Sequence, residues 1–404
     1  MSLPTHAHSS AAIPRQDRVK AFTLLSGPTL VTLIPMAAAP ALPAMAAHFG
    51  GIGGKDASFF AQLVMTLPAV MMICSAPVTG LFVERHGRRI SLIVAFLLFA
   101  IAGASALVLP DVWSLLATRL ILGCAGGMIL TICLSLAGDF DEGGPRERLL
   151  GFAVAGASVV AALVLVGGGS LVDHLGWRAP FALYLLGFPA AALAWLSVRD
   201  ARMPTAALSG LFKPMVRLWP LFGTVVTLSV AMFMPSIQGA FLMQSEGVSS
   251  AATLGIIAAS CSVIAAISSA SFGWIVRWMR PPQLLIAIAF VFGVGCLLMA
   301  FGHGFWAVTL GSAVMGVSAG LVEATSATLI LSRVPVDMQS RALGLLLSAI
   351  FLGQFLNPWV VDPLRQALGI HGAFVAVGGG LIALAILLAV FRPKHGAIRT
   401  VARA

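Results

Sequence analysis

Ten residues, Gly80-Leu81-Phe82-Val83-Glu84-Arg85-His86-Gly87-Arg88-Arg89, form a charged island between two apolar runs, Ala57 to Leu81 and Ile90 to Pro110. Each run reaches the length of about 20 residues that a helix needs to cross a bilayer. A link this short turns the second run straight back across the membrane, and its charges fix the side on which it sits. A basic stop-transfer turn accounts for Arg85, Arg88 and Arg89. It leaves Gly80, Gly87 and Glu84 unexplained.

The whole chain obeys the same constraint. Of its 404 residues 59% are hydrophobic and only 9% charged, with a mean hydropathy of +1.01. No soluble domain of this size hides so much apolar surface. The runs are near 20 residues long and do not alternate, so they are helices and not barrel strands. Twelve spans are expected, at about 22–47, 58–82, 90–110, 113–138, 149–172, 178–198, 218–243, 251–276, 283–302, 305–332, 342–363 and 373–391. Met1 to Lys20 is polar and lacks the apolar core of a cleaved signal peptide, so the first span is expected to be retained.

The net charge of +10 follows from topology. Of the 24 lysines and arginines, twenty fall on the side of the Gly80–Arg89 loop, three (Lys55, Arg178, Arg365) on the other, and Arg119 lies within a span. The positive-inside rule then puts the loop and both termini in the cytoplasm. The basic balance therefore implies no nucleic-acid partner. All five cysteines (Cys74, Cys124, Cys133, Cys261, Cys296) fall inside spans without metal-type spacing and are expected to be buried small hydrophobes, with no disulfide. There is no phosphate-binding loop, nucleophile elbow or metal signature, so neither an enzyme nor a cofactor or metal site is expected.

The island resembles the signature loop of the major facilitator superfamily, written G-x-x-x-D-R-x-G-R-R/K. Gly80, Arg85, Gly87, Arg88 and Arg89 match it, and Glu84 stands where the family has Asp. The resemblance implies a gate: Arg88 or Arg89 pairing with Asp139 at the end of the fourth span, and Glu84 facing the positive end of the eleventh helix. Leu115, Arg119 and Gly123 resemble the family's fourth-helix motif L-x-x-x-R-x-x-Q-G, which is associated with proton coupling. Leu122 replaces its Gln. Gly168-Gly169 fit the end of the antiporter motif G-x-x-x-G-P-x-x-G-G, with Val164-Leu165 in place of Gly-Pro, and Gly176-Trp177-Arg178 resembles the ending common in drug exporters.

Several intramembrane side chains invite function. Arg119 lies about 9 Å inside the interfacial Trp113, and a cation at that depth is costly unless paired, solvated or snorkelling. Glu323 is the acid set deepest in any span, on a face of small and polar residues (Ser312, Gly316, Gly320, Ser326) that turns it to the protein interior; the alternative is a structural hydrogen bond near the inner mouth. The helical rise separates it from Arg119 by about 16 Å in depth, too far for an ion pair. Thr32 and Met36 share a face of the first span, Met234 and Gln238 sit beside Pro235 in the seventh, and Gln354 and Asn357 share a face of the eleventh. These are candidate cavity-lining residues, and ordinary interhelical packing explains them as well.

The second half repeats the first at a constant shift of 193: Gly80 falls on Gly273, Trp113 on Trp306, Gly123 on Gly316, Gly127 on Gly320 and Gly176 on Gly369. Expected is therefore an all-α membrane protein of 12 transmembrane helices in two pseudo-symmetric six-helix bundles. Its divisions are a cytoplasmic tail (1–20), the first bundle (21–198), a cytoplasmic linker (199–216), the second bundle (217–392) and a second tail (393–404). Facing repeats imply a central site and alternating access. The function implied is secondary active transport by a monomer in the plasma (inner) membrane, with a small-molecule substrate and protons as partners. Efflux of hydrophobic or amphiphilic compounds driven by a proton gradient is preferred. The alternative is uptake, as a symporter or facilitator, of a small organic solute whose anionic group Arg119 would bind.

Overall fold

The computed structural model describes residues 15–53, 57–140, 145–198, 218–248, 250–335 and 338–391. The expected linker 199–216 and tail 393–404 lie outside these residues, as does most of the tail 1–20. The first helix already begins at Arg15, earlier than the expected boundary.

The described chain is helical throughout, and its connections follow the short links between apolar runs. Helix α1 (Arg15–Met36) breaks after Met36 and continues through a 3-10 turn (Ala39–Ala41) into Leu42–Gly53. Helices α2 (57–86) and α3 (88–104) are continuous except at Gly87, where φ is 81° and ψ 162°. That backbone conformation suits glycine alone among ordinary residues, so Gly87 is where the chain reverses. Then come α4 (Val112–Ser135), α5 (Pro145–Leu175) and α6, a 3-10 entry (Ala179–Leu186) followed by Gly187–Ser197.

In the second half α7 is broken into Trp219–Met232, Met234–Ile237 and Gly239–Ser245 around Pro235. Helix α8 (Ala251–Ala270) carries a short terminal segment (Phe272–Trp278), and α9 (Pro281–Phe301) and α10 (Gly304–Leu331) follow. The last helical stretch, Gln339–Val390, is too long for one crossing. It bends at Gly369 (φ 74°) into α11 (339–368) and α12 (370–390). Among the described residues eleven helical stretches are long and apolar enough to span a membrane, and the last covers both α11 and α12, which makes twelve crossings. The reversal falls later than expected: Arg365, expected in the outer connection, is part of α11.

The repeat at 193 governs packing as well as sequence. A side chain at Gly123 would strike the carbonyl of Pro68 on α2, and one at Gly316 would strike the carbonyl of Cys261 on α8. Both partners differ by 193. Likewise Gly127 sits against Met72, and Gly320 against Ala265. The α2–α4 contact is thus rebuilt as α8–α10, with small residues permitting backbone approach in each.

Candidate functional site

The two halves meet on the face opposite the Gly80–Arg89 loop, termed here the far face. Two junctions do most of the joining, α5 against α8 and α2 against α11. At the first, Gly169 backs onto the Ala251 carbonyl and Gly255 onto that of Leu165. Asp173, at the far end of α5, accepts hydrogen bonds from Ser250 Oγ (2.9 Å), Ala251 N (2.7 Å) and Ala252 N (3.0 Å) at the start of α8.

At the second junction Arg365 reaches Ser58 on α2 and pairs with Asp362 on its own helix, while its guanidinium lies 4.9 Å from the Phe241 ring. Deeper in, three fully buried amides meet. Gln238 Nε2 of α7 donates to Gln62 Oε1 of α2 (2.7 Å) and to Asn357 Oδ1 of α11 (3.1 Å), and Asn357 Nδ2 donates to the Val230 carbonyl (2.8 Å). Among the described residues Gln62 Nε2 and Gln238 Oε1 have no hydrogen-bond partner. Gln238 and Asn357 were expected at the site and are brought together. Gln354 and Met234 are also buried.

On the loop side of these junctions faces of α1 and α10 remain partly exposed. The main packing partners of α1 are α4, α5 and α6 of its own half. One of its faces, with Phe22, Leu25, Thr29, Thr32 and Met36, stays partly exposed. Thr32 returns its hydroxyl to the Pro28 carbonyl (2.9 Å). Glu323, about 12 Å from the loop-side end of α10 by helical rise, is exposed although protein surrounds it, so it borders a recess and not the outer perimeter. Among the described residues no hydrogen bond or ion pair reaches it.

Arg119 lies elsewhere. It is 1% exposed and turned into its own bundle. Its Nη2 donates to the carbonyls of Ala102 (2.8 Å) and Gly103 (3.1 Å) at the end of α3 and to Ser105 Oγ (3.3 Å). The rings of Phe181 and Tyr184 lie 5.4 and 5.8 Å from it. The terminal carbonyls of α3 carry the negative end of that helix, and they stabilise the charge without a carboxylate. Tyr184, the chain's one tyrosine, shares its hydroxyl between the carbonyls of Leu33 and Ile34 (3.1 Å each), just before α1 breaks.

In the loop motif Gly80 is half-buried, Glu84 and Arg85 are exposed, and Gly87 makes the bend. Arg88 is buried, and the Arg89 guanidinium lies 4.2 Å from the Trp195 ring. No hydrogen bond or ion pair reaches Glu84 among the described residues. The expected pairing of Arg88 or Arg89 with Asp139 lies outside the described side chains. Of the cysteines, Cys133, Cys261 and Cys296 are buried, whereas Cys124 is half-buried and Cys74 exposed, against the expectation for those two.

Sequence reasoning passed over Gln62, Tyr184 and the bonding of Asp173, Asp362 and Arg365. Gln62 carried a signal, as an amide inside an apolar run. The others did not, because their partners lie 77 or more residues away or beyond a misplaced helix end.

Known proteins resemble this chain over nearly its whole length. It is 24% identical over 364 residues to the multidrug resistance protein MdtG of Salmonella choleraesuis, covering 86% of this chain and 89% of that one, and equally to MdtG of Salmonella typhimurium. Among solved structures, a bacterial homologue of the human lysosomal transporter Spinster, in an inward-facing unoccupied conformation, superposes with a TM-score of 0.70 at 15% identity, over 92% of this chain and 95% of that one. The nucleoside transporter NupG does so at 0.66 and 13%, over 91% and 99%. The human organic anion transporter MFSD10 gives 0.65 and 18%, over 93% and 99%. The profile of the Major Facilitator Superfamily matches residues 24–358 and 221–403. With a matching profile over most of its length and twelve helices in two repeated halves, the chain belongs to the major facilitator superfamily of membrane transporters.

Proposed function

We propose that this transporter exports small hydrophobic or amphiphilic compounds in exchange for protons. The observation that carries the reading is the pairing of a far face held by polar and close-packed junctions with a loop side where α1 and Glu323 stay exposed. A compound enters from the loop side, and rocking of the halves then delivers it to the far side. The Lys and Arg distribution assigns the loop side and both termini to the cytoplasm, so this cycle is export across the inner membrane. The name of MdtG supports multidrug export, and Glu323 supports proton coupling, because it is a carboxyl group deep in a span that faces the recess, and an intramembrane acid on such a path is a candidate proton carrier. The exposed faces of α1, with Thr32 and Met36, and of α10 line the path, which is proposed to work in a monomer with no cofactor beyond the gradient. Arg119 does not support the uptake reading, since it is buried within its own bundle, where its Nη2 is held by Ala102, Gly103 and Ser105.

Everted membrane vesicles carrying the protein test this with a panel of toxic hydrophobic dyes. Accumulation is expected to require a pH gradient in wild type, and Glu323→Gln is expected to abolish that requirement or transport itself with the protein still in the membrane. Dye accumulation in wild type that survives collapse of the pH gradient rejects proton coupling.

A further inference from the structure

For the far face to open, α8 must part from α5, and the contacts there are unlike those at the related junction. The start of α8 is capped twice. Ser250 accepts from Thr253 N (3.3 Å) within its own helix, and Asp173 accepts from Ser250 Oγ, Ala251 N and Ala252 N across the junction. The first N–H groups of a helix have no partner within it and carry its positive end, so a carboxylate there supplies both charge and hydrogen bonds. The shift of 193 relates Gly169 to Asp362 and Ser58 to Ala251. At the α2–α11 junction, however, the acid Asp362 is paired within its own helix by Arg365 and Gln366. There the contact to the start of α2 is made by a cation, Arg365, on Ser58. Among the described residues, Asp173 is thus the one acid whose carboxylate binds the first backbone N–H groups of a helix in the other half.

Little else charged competes for Asp173. On α5 its neighbour is His174, which is exposed. Arg178, beyond the bend, is engaged by the Leu109 carbonyl (3.1 Å) and the Trp177 ring. The opening turns of α8, Ala251 to Ala259, contain no ionisable residue.

We infer that Asp173 is a positioning residue for alternating access, a latch across the two halves that holds the far face shut and must let go of α8 before substrate can leave there. It touches no substrate. It acts through the position of α8, and it biases the equilibrium between the two closed faces. The inference rests on the transport reading but not on the direction of transport or on what is carried. Because closing one face opens the other, weakening the latch changes both faces with opposite sign.

Hydrogen exchange of the full-length protein in lipid nanodiscs, without substrate, reads this. Asp173→Asn keeps the shape and removes the charge, and Ser250→Ala removes one of the three bonds while leaving the acid. In Asp173→Asn, protection is expected to fall by about ten-fold at the far-face segments 57–62 and 251–258 and to rise at the loop-face segment 339–350. Ser250→Ala should show the same pattern at smaller size, and Asp173→Glu should return toward wild type. Exchange that increases only in the first turn of α8, with 339–350 unchanged, makes Asp173 a local cap and overturns the inference. Loss of protection on both faces also overturns it, as a loosened fold. Dye accumulation by the same variants is a separate measurement: unchanged exchange with altered transport counts against the latch, and the opposite-sign exchange pattern upholds it even if no dye on the panel is carried.

Discussion

Gln238 of α7 gives one amide hydrogen to Gln62 of α2 at 2.7 Å, a bond that crosses from one half of the molecule to the other with both side chains fully buried. The same nitrogen also serves Asn357, so Gln62 Nε2 and Gln238 Oε1 are left without partners among the described residues. A buried polar group without a partner costs about 1–3 kcal/mol. The junction therefore holds the halves together and retains an unmet demand, which limits how firmly it shuts.

Substitutions at this pair should be strongly non-additive. Gln62→Leu alone leaves one N–H of Gln238 without an acceptor, and Gln238→Leu strands Gln62 and the Asn357 side-chain oxygen, so each single change is expected to cost about 1–3 kcal/mol of stability. The double change to leucine removes the demand on both sides and should cost less than the sum of the singles, or even stabilise. Thermal unfolding of the four proteins in one detergent, analysed as a double-mutant cycle, measures the coupling. Additive losses would mean that the two amides do not interact.

The packing symmetry makes a second, paired prediction. Gly123→Ala and Gly316→Ala each drive a methyl group into a backbone carbonyl, of Pro68 and Cys261 respectively. Overpacking against backbone costs typically about 1–3 kcal/mol, and the two changes should be alike because the contacts are equivalent. Gly167→Ala, where nothing lies within 4 Å of the added carbon, should be neutral or slightly stabilising, since alanine favours helix by about 1 kcal/mol. Unfolding midpoints of the three variants decide it.

The crossings were readable because membrane insertion depends on run length and charge, both local properties of the chain. The reversal between α2 and α3 was readable for the same reason, as a short link between two apolar runs, although not its position at Gly87. Gly369 was less so. Asp362 and Arg365 read as the polar end of a span, but they neutralise each other one turn apart and let α11 run on past them. Arg119 was read as an intramembrane cation, but what it faces was not readable. Its surroundings, the end of α3 and the start of α6, are fixed by how three helices pack, which no local pattern encodes. Asp173 shows the same limit, for its donors come from α8, 77 to 79 residues later.

Acid should weaken the start of α4 in a predictable way. Asp111 caps this helix, accepting from Ser114 Oγ and from Ser114 N (2.8 Å). The hydroxyl bond first, and then the backbone bond, hold its carboxyl below the usual carboxylate range. A depressed folded-state pKa means that the contribution is complete above the unfolded value of about 3.9 and is lost as pH falls through the lower folded value. Asp111→Ala should therefore unfold more easily than wild type at pH 6, and the difference should narrow as pH drops below about 4. A gap between the two unfolding curves that is independent of pH would remove the carboxylate from the account.

Arg119 should behave as a structural cation whose loss is felt first in stability. Its guanidinium binds two terminal carbonyls of α3 and Ser105 and lies 5.4 and 5.8 Å from the rings of Phe181 and Tyr184. Tyr184 in turn holds the carbonyls at the break of α1. Arg119→Ala leaves buried carbonyls without donors and a hole between α3, α4 and α6, for a cost of at least about 2 kcal/mol. Arg119→Lys should recover only part of this, because a compact ammonium lacks the planar fork that reaches several acceptors and stacks on aromatic faces. Glu323→Gln, which breaks no contact of the described residues, should leave the unfolding midpoint near wild type. The expected order of midpoints is therefore wild type and Glu323→Gln together, then Arg119→Lys, then Arg119→Ala. If Arg119→Ala instead unfolds with wild type but loses the pH dependence of transport, the arginine acts in coupling, and the carbonyl cage is incidental.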